Sequence, residues 1–505
     1  MPGLSLAPDC ACTLAPGRLE PCVLVIFGAS GDLTARKLTP ALFSLAQQRA
    51  LPRQLAILGA ARTPMDDQAF RELILSALPK GDDQERRAFG ERLFYLQVDY
   101  QDRASFTRLA ARLAELDARL DTAGNRIFYL ATPPGLYEPI GRNLGRGGLS
   151  VPPPGGFARL VVEKPFGRDL KSARRLDAAL HQSFEERQIF RIDHYLAKET
   201  VQNILMLRFA NSIFEPLWNR SHIEYVGIMA AEELGVEHRA GYYEGAGVVR
   251  DMFQNHLMQL LALTSMEPPS RLAADRVREE KNKVFRSLKP YGNRALGREM
   301  LLGQYGPGAL RGQAAPGYRE EPGVAPDSRT PTFAITRIFI DNWRWGGVPF
   351  YLASGKRLAA KQTQIVIQFR EAPQSLFSGV LPANFQANRL VIGIYPEERI
   401  ALSFQAKGQG PKLCLTPVDM EFTYPQNGAG AADSYEKVLL DCLLGDQLLF
   451  WDQTGIELSW AFLDPVLKAQ DRRPASSLPN PYPAGSWGPP AAGEWMRLML
   501  DGAKG

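Results

Sequence analysis

Cys22-Val-Leu-Val-Ile-Phe27 is a short, unbroken apolar run that leads directly into Gly28-Ala-Ser-Gly31-Asp32-Leu33. Such a run suits a strand buried on both faces of a parallel sheet, where no polar alternation is needed. Beyond the glycines, residues 35–48 have the composition and spacing of a helix. Strand, glycine turn and helix together can bring backbone N–H groups and a helix N-terminus to a pyrophosphate. The spacing departs from G-x-G-x-x-G, with Ser30 and Leu33 standing where the second and third glycines would fall. Taken alone, the loop would also serve as a tight structural turn.

The next strands bear on that choice. Leu55-Ala-Ile-Leu58 reads as a second strand and ends Gly59-Ala-Ala-Arg62, without the carboxylate that would bond a ribose 2′-hydroxyl. Arg62 suits a 2′-phosphate instead, which points to NADP, and Ser30 or Lys37 are further candidates for that phosphate. A third strand over 93–98 closes on Asp99-Tyr100, and a fourth over 126–131 closes on Thr132. A fifth, Arg159-Leu-Val-Val-Glu163, presents Lys164, and a sixth over 188–192 opens into Asp193-His-Tyr-Leu-Ala-Lys198. Ligands of open α/β sheets bind outside the carboxyl ends of the strands. The glycine loop, Arg62, Asp99, Lys164 and the 193–198 stretch all fall at such ends.

After Lys198 the pattern changes. Alternating runs rich in Ile, Val, Phe and Tyr, at 223–233, 332–341, 364–370, 389–395 and 399–404, have few helices between them, so a mainly antiparallel sheet is expected. A glycine-rich turn at 241–247 precedes helical periodicity over 248–263, and the Gly/Pro-rich stretches 303–330 and 474–493 read as long loops. At 505 residues the chain exceeds one core. The expected fold is α/β plus α+β: a disordered arm over 1–20, a Rossmann-like dinucleotide-binding domain over 21–193, and a larger α+β domain over 194–505 for substrate binding and oligomerisation.

Composition narrows the function. A net charge of +5 over this length, with no Lys/Arg block, argues against a nucleic-acid partner and leaves room for a small anionic substrate. No apolar run approaches the length of a membrane span. The five cysteines are odd in number and scattered, which suits a reducing, cytoplasmic setting; Cys10-x-Cys12 lacks a partner pair, so no metal site is expected. The first twenty residues have no basic residue before Arg18 and make a poor signal peptide.

Five histidines are available for a general base near neutral pH: His181, His194, His222, His238 and His256. His181 lies in a charged helical stretch and is expected to face solvent, while His222 and His238 border turns. His256 follows the glycine turn in Arg250-Asp251-Met-Phe-Gln-Asn255-His256, with Asp251 and Asn255 one turn apart on an adjacent helical face. His194, Tyr195 and Lys198 offer three donors to an anion such as a phosphate, and Asp193 points to the other side of an extended chain. A strand-turn from Pro349 delivers Lys356 and Lys361 to one end of the sheet.

Gly28-Ala-Ser-Gly-Asp-Leu33, Glu163-Lys-Pro-Phe-Gly167, Arg191-Ile-Asp-His-Tyr-Leu-Ala-Lys-Glu199, Arg250-Asp-Met-Phe-Gln-Asn-His256 and Ile340-Asp-Asn-Trp-Arg-Trp345 with Val348-Pro-Phe-Tyr-Leu352 stand in the order and spacing of one family. Over nearly the whole chain the sequence resembles glucose-6-phosphate dehydrogenase. The resemblance implies oxidation of D-glucose 6-phosphate at C1 to 6-phospho-D-glucono-1,5-lactone, the first step of the oxidative pentose phosphate pathway. It implies NADP as cofactor, with NAD accepted by some members, and a homodimer or homotetramer. It implies His256 as general base, Asp193 as its orienting carboxylate, and His194, Tyr195, Lys198 and Lys361 around the 6-phosphate. Glu232, Asp251 and Lys356 match residues that hold the sugar hydroxyls, and Lys164 the lysine between cofactor and substrate. Ala197 departs from the family's glycine, and Tyr395 stands where some members place a glutamine. The rival readings are a related oxidoreductase of unphosphorylated sugars, which would leave His194, Lys198 and Lys361 without an anion, and a catalytically silent NADP sensor.

Overall fold

Six strands, β1 (Cys22–Phe27), β2 (Leu55–Ala61), β3 (Leu93–Gln97), β4 (Arg126–Leu130), β5 (Ala158–Val162) and β6 (Ile189–Arg191), lie parallel in the order β3-β2-β1-β4-β5-β6. Every residue of β1 is buried, which is why its sequence carries no polar alternation. The strand order reverses between β1 and β4, so the ends of these two strands form the switch-point crevice of a doubly wound sheet. Gly28 sits at that point with φ +86°, and a Cβ there would lie 2.3 Å from the Ala131 carbonyl oxygen. Only glycine meets both demands.

The computed structural model describes residues 19–79, 82–292, 295–371, 387–411, 414–423, 434–472 and 479–500. Residues 1–18 of the expected arm, with Cys10 and Cys12, lie outside them. Packing divides the described chain into two compact units. One draws on the described residues within Met1–Lys164, Leu176–Ile192 and Ala432–Phe450, the other on those within Pro165–Arg175, Asp193–Ala431 and Trp451–Gly505. Where the sequence reading placed one cut near Asp193, the chain passes between units several times. Within the first unit, the helix Ser434–Leu444 returns late in sequence: Gln48 donates to Glu436, and Arg159 donates to the Cys442 and Leu443 carbonyls at 2.7 Å each.

The second unit is built on a nine-stranded sheet. Its strands are β7 (Ile223–Ala231), β8 (Met300–Gly306), β11 (Phe333–Phe339), β12 (Pro349–Gly355), β13 (Gln362–Phe369), β14 (Arg389–Tyr395), β15 (Arg399–Lys407), β16 (Leu415–Thr423) and β17 (Asn480–Pro483), with a separate hairpin of β9 (Gly308–Leu310) and β10 (Gln313–Ala315). The order is β16-β15-β14-β13-β7-β12-β11-β8-β17, antiparallel except for the β7–β12 and β8–β17 pairs. The hairpin and β17 stand where Gly/Pro-rich loops were expected, because strands of three or four residues are too short to show alternation.

The stretch expected as one helix over 248–263 is two segments, a wide π-helical turn Val249–Leu257 and the α-helix Met258–Ser265, and the stretch 241–247 expected as a glycine-rich turn is itself helical, within Ala240–Val248. Gly247 (φ +61°, ψ 172°) makes the break before the wide segment. Among the described residues no helix is long and apolar enough to cross a membrane.

Candidate active site

In the first unit the glycine loop is held from below. The Gly28 amide donates to the Ala60 carbonyl at 2.9 Å and to the Tyr100 hydroxyl at 3.0 Å. Tyr100 is buried, and burial raises its pKa, so it buttresses the loop as a neutral phenol. Gly31 N donates to Gly28 O at 2.9 Å, and the Thr34 hydroxyl to the same oxygen at 3.2 Å. The helical chain begins after Leu33 with no side-chain cap, so the amides of its first turn suit an anion. Ser30, Arg62 and Asp99 are exposed at neighbouring strand ends, and the Ser30 and Thr63 hydroxyls lie 3.1 Å apart. Asp32 pairs with Arg36 at 2.6 Å, Lys37 is exposed, and Lys164 follows β5 half-buried. The cradle fits a dinucleotide pyrophosphate, with Arg62 beside it and no carboxylate at the end of β2.

In the second unit, Asp193 and His256 meet in the interior. Asp193 Oδ1 lies 2.5 Å from His256 Nδ1 and accepts the Tyr195 amide at 3.1 Å. Both side chains are almost wholly buried. The Tyr195 ring stacks on the His256 imidazole with centroids 4.0 Å apart, and His194 packs edge-on to His256 at 4.8 Å. Asp193 was expected on the opposite side of an extended chain from His194, but residues 194–197 form a turn, and both side chains converge on His256 with polar atoms within 4.8 Å of one another. Lys198, at the far end of that turn, reaches Tyr195 and Tyr395 instead, and the wide helix delivers His256 to the carboxylate. Wide turns of this kind recur at functional sites because they rotate side chains out of α-helical register.

One end of the sheet supplies the rest. β7 and β12 run parallel with Ala231 opposite Gly355, so the residues that follow, Glu232 and Lys356, emerge side by side and form an ion pair. β13 runs antiparallel to β7 with Gln362 opposite Ala231, which starts Lys361 at the same edge, and Thr363 opposite Tyr395 ends β14 there. Lys361 Nζ stands 3.9 Å over the Tyr395 ring, and Lys198 Nζ lies 5.6 Å from that ring and 4.6 Å from Tyr195. Burial lowers the pKa of Lys198, opposed by Glu398 and reinforced by the like charge of Lys361. Asp251, on the wide helix, accepts from the Tyr242 hydroxyl at 3.3 Å.

Tyr242 and Glu398 were not among the residues read from the sequence, since nothing local links Tyr242 to Asp251 or Glu398 to Lys198. Tyr395, noted only as a departure from the family pattern, is the aromatic platform beneath Lys361. The expectation for His181 is corrected: it is half-buried, with Nδ1 3.1 Å from Asp177 and Nε2 3.2 Å from Glu186. Arg191 ties the same two carboxylates at 2.6 and 2.8 Å, so this cluster already holds a cationic side chain. His222 is exposed, and the side chain of His238 lies outside the described residues.

Known proteins match the chain over nearly its whole length. The family described as glucose-6-phosphate dehydrogenase, NAD binding domain, matches residues 25–203, and glucose-6-phosphate dehydrogenase, C-terminal domain, matches 205–499. The chain is 45% identical to the glucose-6-phosphate 1-dehydrogenase of Treponema pallidum over 95% of its own length and 94% of the relative's. It is 41% identical to that of Bacillus subtilis over 95% and 97% of the two chains. A solved glucose-6-phosphate dehydrogenase in complex with glucose 6-phosphate superposes with a TM-score of 0.87 at 33% identity, covering 96% of this chain and 99% of the other. The enzyme of Mycobacterium avium superposes with a TM-score of 0.79 at 33% identity, covering 96% and 97%. The buried Asp193–His256 pair, the lysines at one sheet edge and the glycine-loop cradle therefore belong to a member of the glucose-6-phosphate dehydrogenase family.

Proposed function

We propose that the protein oxidises D-glucose 6-phosphate at C1 to 6-phospho-D-glucono-1,5-lactone, with NADP as the preferred hydride acceptor. The observation that carries this reading is the 2.5 Å contact between Asp193 and His256 Nδ1 in a buried setting. With Nδ1–H donated to the carboxylate, Nε2 is the atom that takes the C1 hydroxyl proton as the hydride leaves C1. The pair goes from a net charge of −1 to zero in that step, so Asp193 stabilises the imidazolium where water cannot. Bound NADP supplies the oxidising nicotinamide.

His194, Lys198 and Lys361 hold the 6-phosphate as charged donors, with Tyr195 and Tyr395 as their aromatic walls. The Glu232–Lys356 pair and Asp251 hold the sugar hydroxyls. Gly28, Ser30, Gly31, Asp32, Leu33 and Lys37 form the pyrophosphate loop and its helix, Tyr100 supports it, Asp99 lines the neighbouring strand end, and Arg62 meets the 2′-phosphate. Lys164 serves both ligands. An oxidoreductase of unphosphorylated sugars would have no use for two ammonium groups around one aromatic ring. Met420 and Phe422, exposed on the outermost strand β16, favour a homo-oligomer.

The test is initial-rate reduction of NADP and of NAD with glucose 6-phosphate and with glucose. Rapid reduction of NADP by the phosphorylated sugar alone is expected, and equal rates with glucose would refute the reading.

A further inference from the structure

Behind the helix that carries His256 the protein buries a lysine. Lys281, on the helix Ala274–Arg286, is 2% exposed and donates from Nζ to Gln259 Oε1 at 2.9 Å. Gln259 stands one turn beyond His256 on the continuing helix Met258–Ser265. Burying an ammonium is costly, and an apolar residue of similar size would generally stabilise the fold better. The charge therefore calls for a role.

Three charged groups act on Lys281. Asp452 caps the helix Gln453–Asp471, and its oxygens accept from Gly455 N at 3.1 Å and Asn282 Nδ2 at 2.7 Å. Arg278, one turn earlier on the helix of Lys281, is a like charge. The third is Asp193, the carboxylate that holds His256.

We propose that Lys281 is a positioning residue for the oxidation: its buried charge lowers the proton affinity of the Asp193–His256 pair and keeps His256 ready to accept a proton at neutral pH. The inference rests on the reading of His256 as the base. The pair carries −1 when His256 is neutral and zero when it is protonated, so a nearby positive charge favours the neutral, basic form. Lys198, on the phosphate side, also acts on Asp193. Without the further charge of Lys281 behind it, the buried carboxylate would hold the imidazolium to a higher pH and deplete the free base. Burial lowers the pKa of Lys281 to about 8. That is still above the range in which an imidazole titrates, so the charge is present where the pair needs it.

The experiment is the pH profile of kcat/KM for glucose 6-phosphate in the full-length protein, Lys281→Met and Gln259→Glu. In the unaltered protein an acid limb should report the base, and its absence would count against His256 as base and against this inference with it. Given that limb, Lys281→Met should move its midpoint up by about half to one and a half pH units, as a unit charge at an effective dielectric near 20 would do across a helix width. Gln259→Glu leaves Lys281 in place and sets a carboxylate against it, so it should shift the limb in the same direction without emptying the core. If Lys281→Met fails to fold, Gln259→Glu decides alone. A purely structural role predicts lower thermal stability with the midpoint unmoved, and that result would overturn the proposal.

Discussion

Lys198→Met is the sharpest test of the phosphate site. Lys198 and Lys361 both lie over the ring of Tyr395, at 5.6 and 3.9 Å, so two like charges share one wall. Among the described residues no carboxylate forms a close ion pair with Lys198, and Glu398 and Asp193 act on it without direct contact. A phosphate dianion would relieve that repulsion, and the substitution removes one charge-assisted bond, worth about 1.5–3 kcal/mol. At about 1.4 kcal/mol per factor of ten, KM for glucose 6-phosphate should rise roughly 10- to 150-fold. Methionine retains most of the aliphatic stem, so kcat should change little. The assay is NADPH formation at saturating NADP, with glucose 6-phosphate and free glucose compared side by side. Because glucose has no phosphate to lose, its kcat/KM should be nearly unchanged. Equal losses on the two sugars would refute the assignment and make Lys198 a support of the sheet edge instead.

Other outcomes follow from the same geometry. His256→Asn should lower kcat about 100- to 10,000-fold, the range of a positioned general base, while calorimetric titration still detects glucose 6-phosphate; Asp193→Asn should lower kcat less. Arg62→Ala should weaken NADP about ten- to a hundredfold and leave NAD nearly unchanged in parallel fluorescence titrations. Burial raises the Asp441 carboxyl to about 6, against the pull of Lys437. Because its folded pKa lies above the unfolded one, the stability this group contributes is present below about pH 4 and lost as pH rises through 6. Asp441→Asn should therefore raise thermal stability more at pH 8 than at pH 5, which scanning calorimetry can read.

Much of this was legible in the sequence. The apolar run of β1 and the glycines after it mark the dinucleotide unit, and the position of Arg62 at the end of β2 is a local signal. His256 stood out as the one histidine of five in a polar helical setting. What escaped the sequence depends on pairing at a distance. Nothing near Lys281 says that it lies behind His256, and nothing near His181 says that Arg191 and Glu186 will enclose it. The parallel pairing of β7 with β12 sets Glu232 against Lys356, and no alternation pattern shows which strands become neighbours.

The late return of the chain to its first unit has a consequence in time. The strands of the doubly wound sheet are complete by Arg191, yet Gln48 and Arg159 wait for partners in Ser434–Leu444, and Phe190 waits for Phe450, whose ring lies 5.0 Å away. At a synthesis rate of roughly 5–20 residues per second, some 12–50 s separate the two ends of that unit on the ribosome. Through that interval the nascent unit presents the apolar face of its first helix and the ring of Phe190 to water, so it is a natural client for chaperones. A fragment ending at residue 193 would be held permanently in that unfinished state.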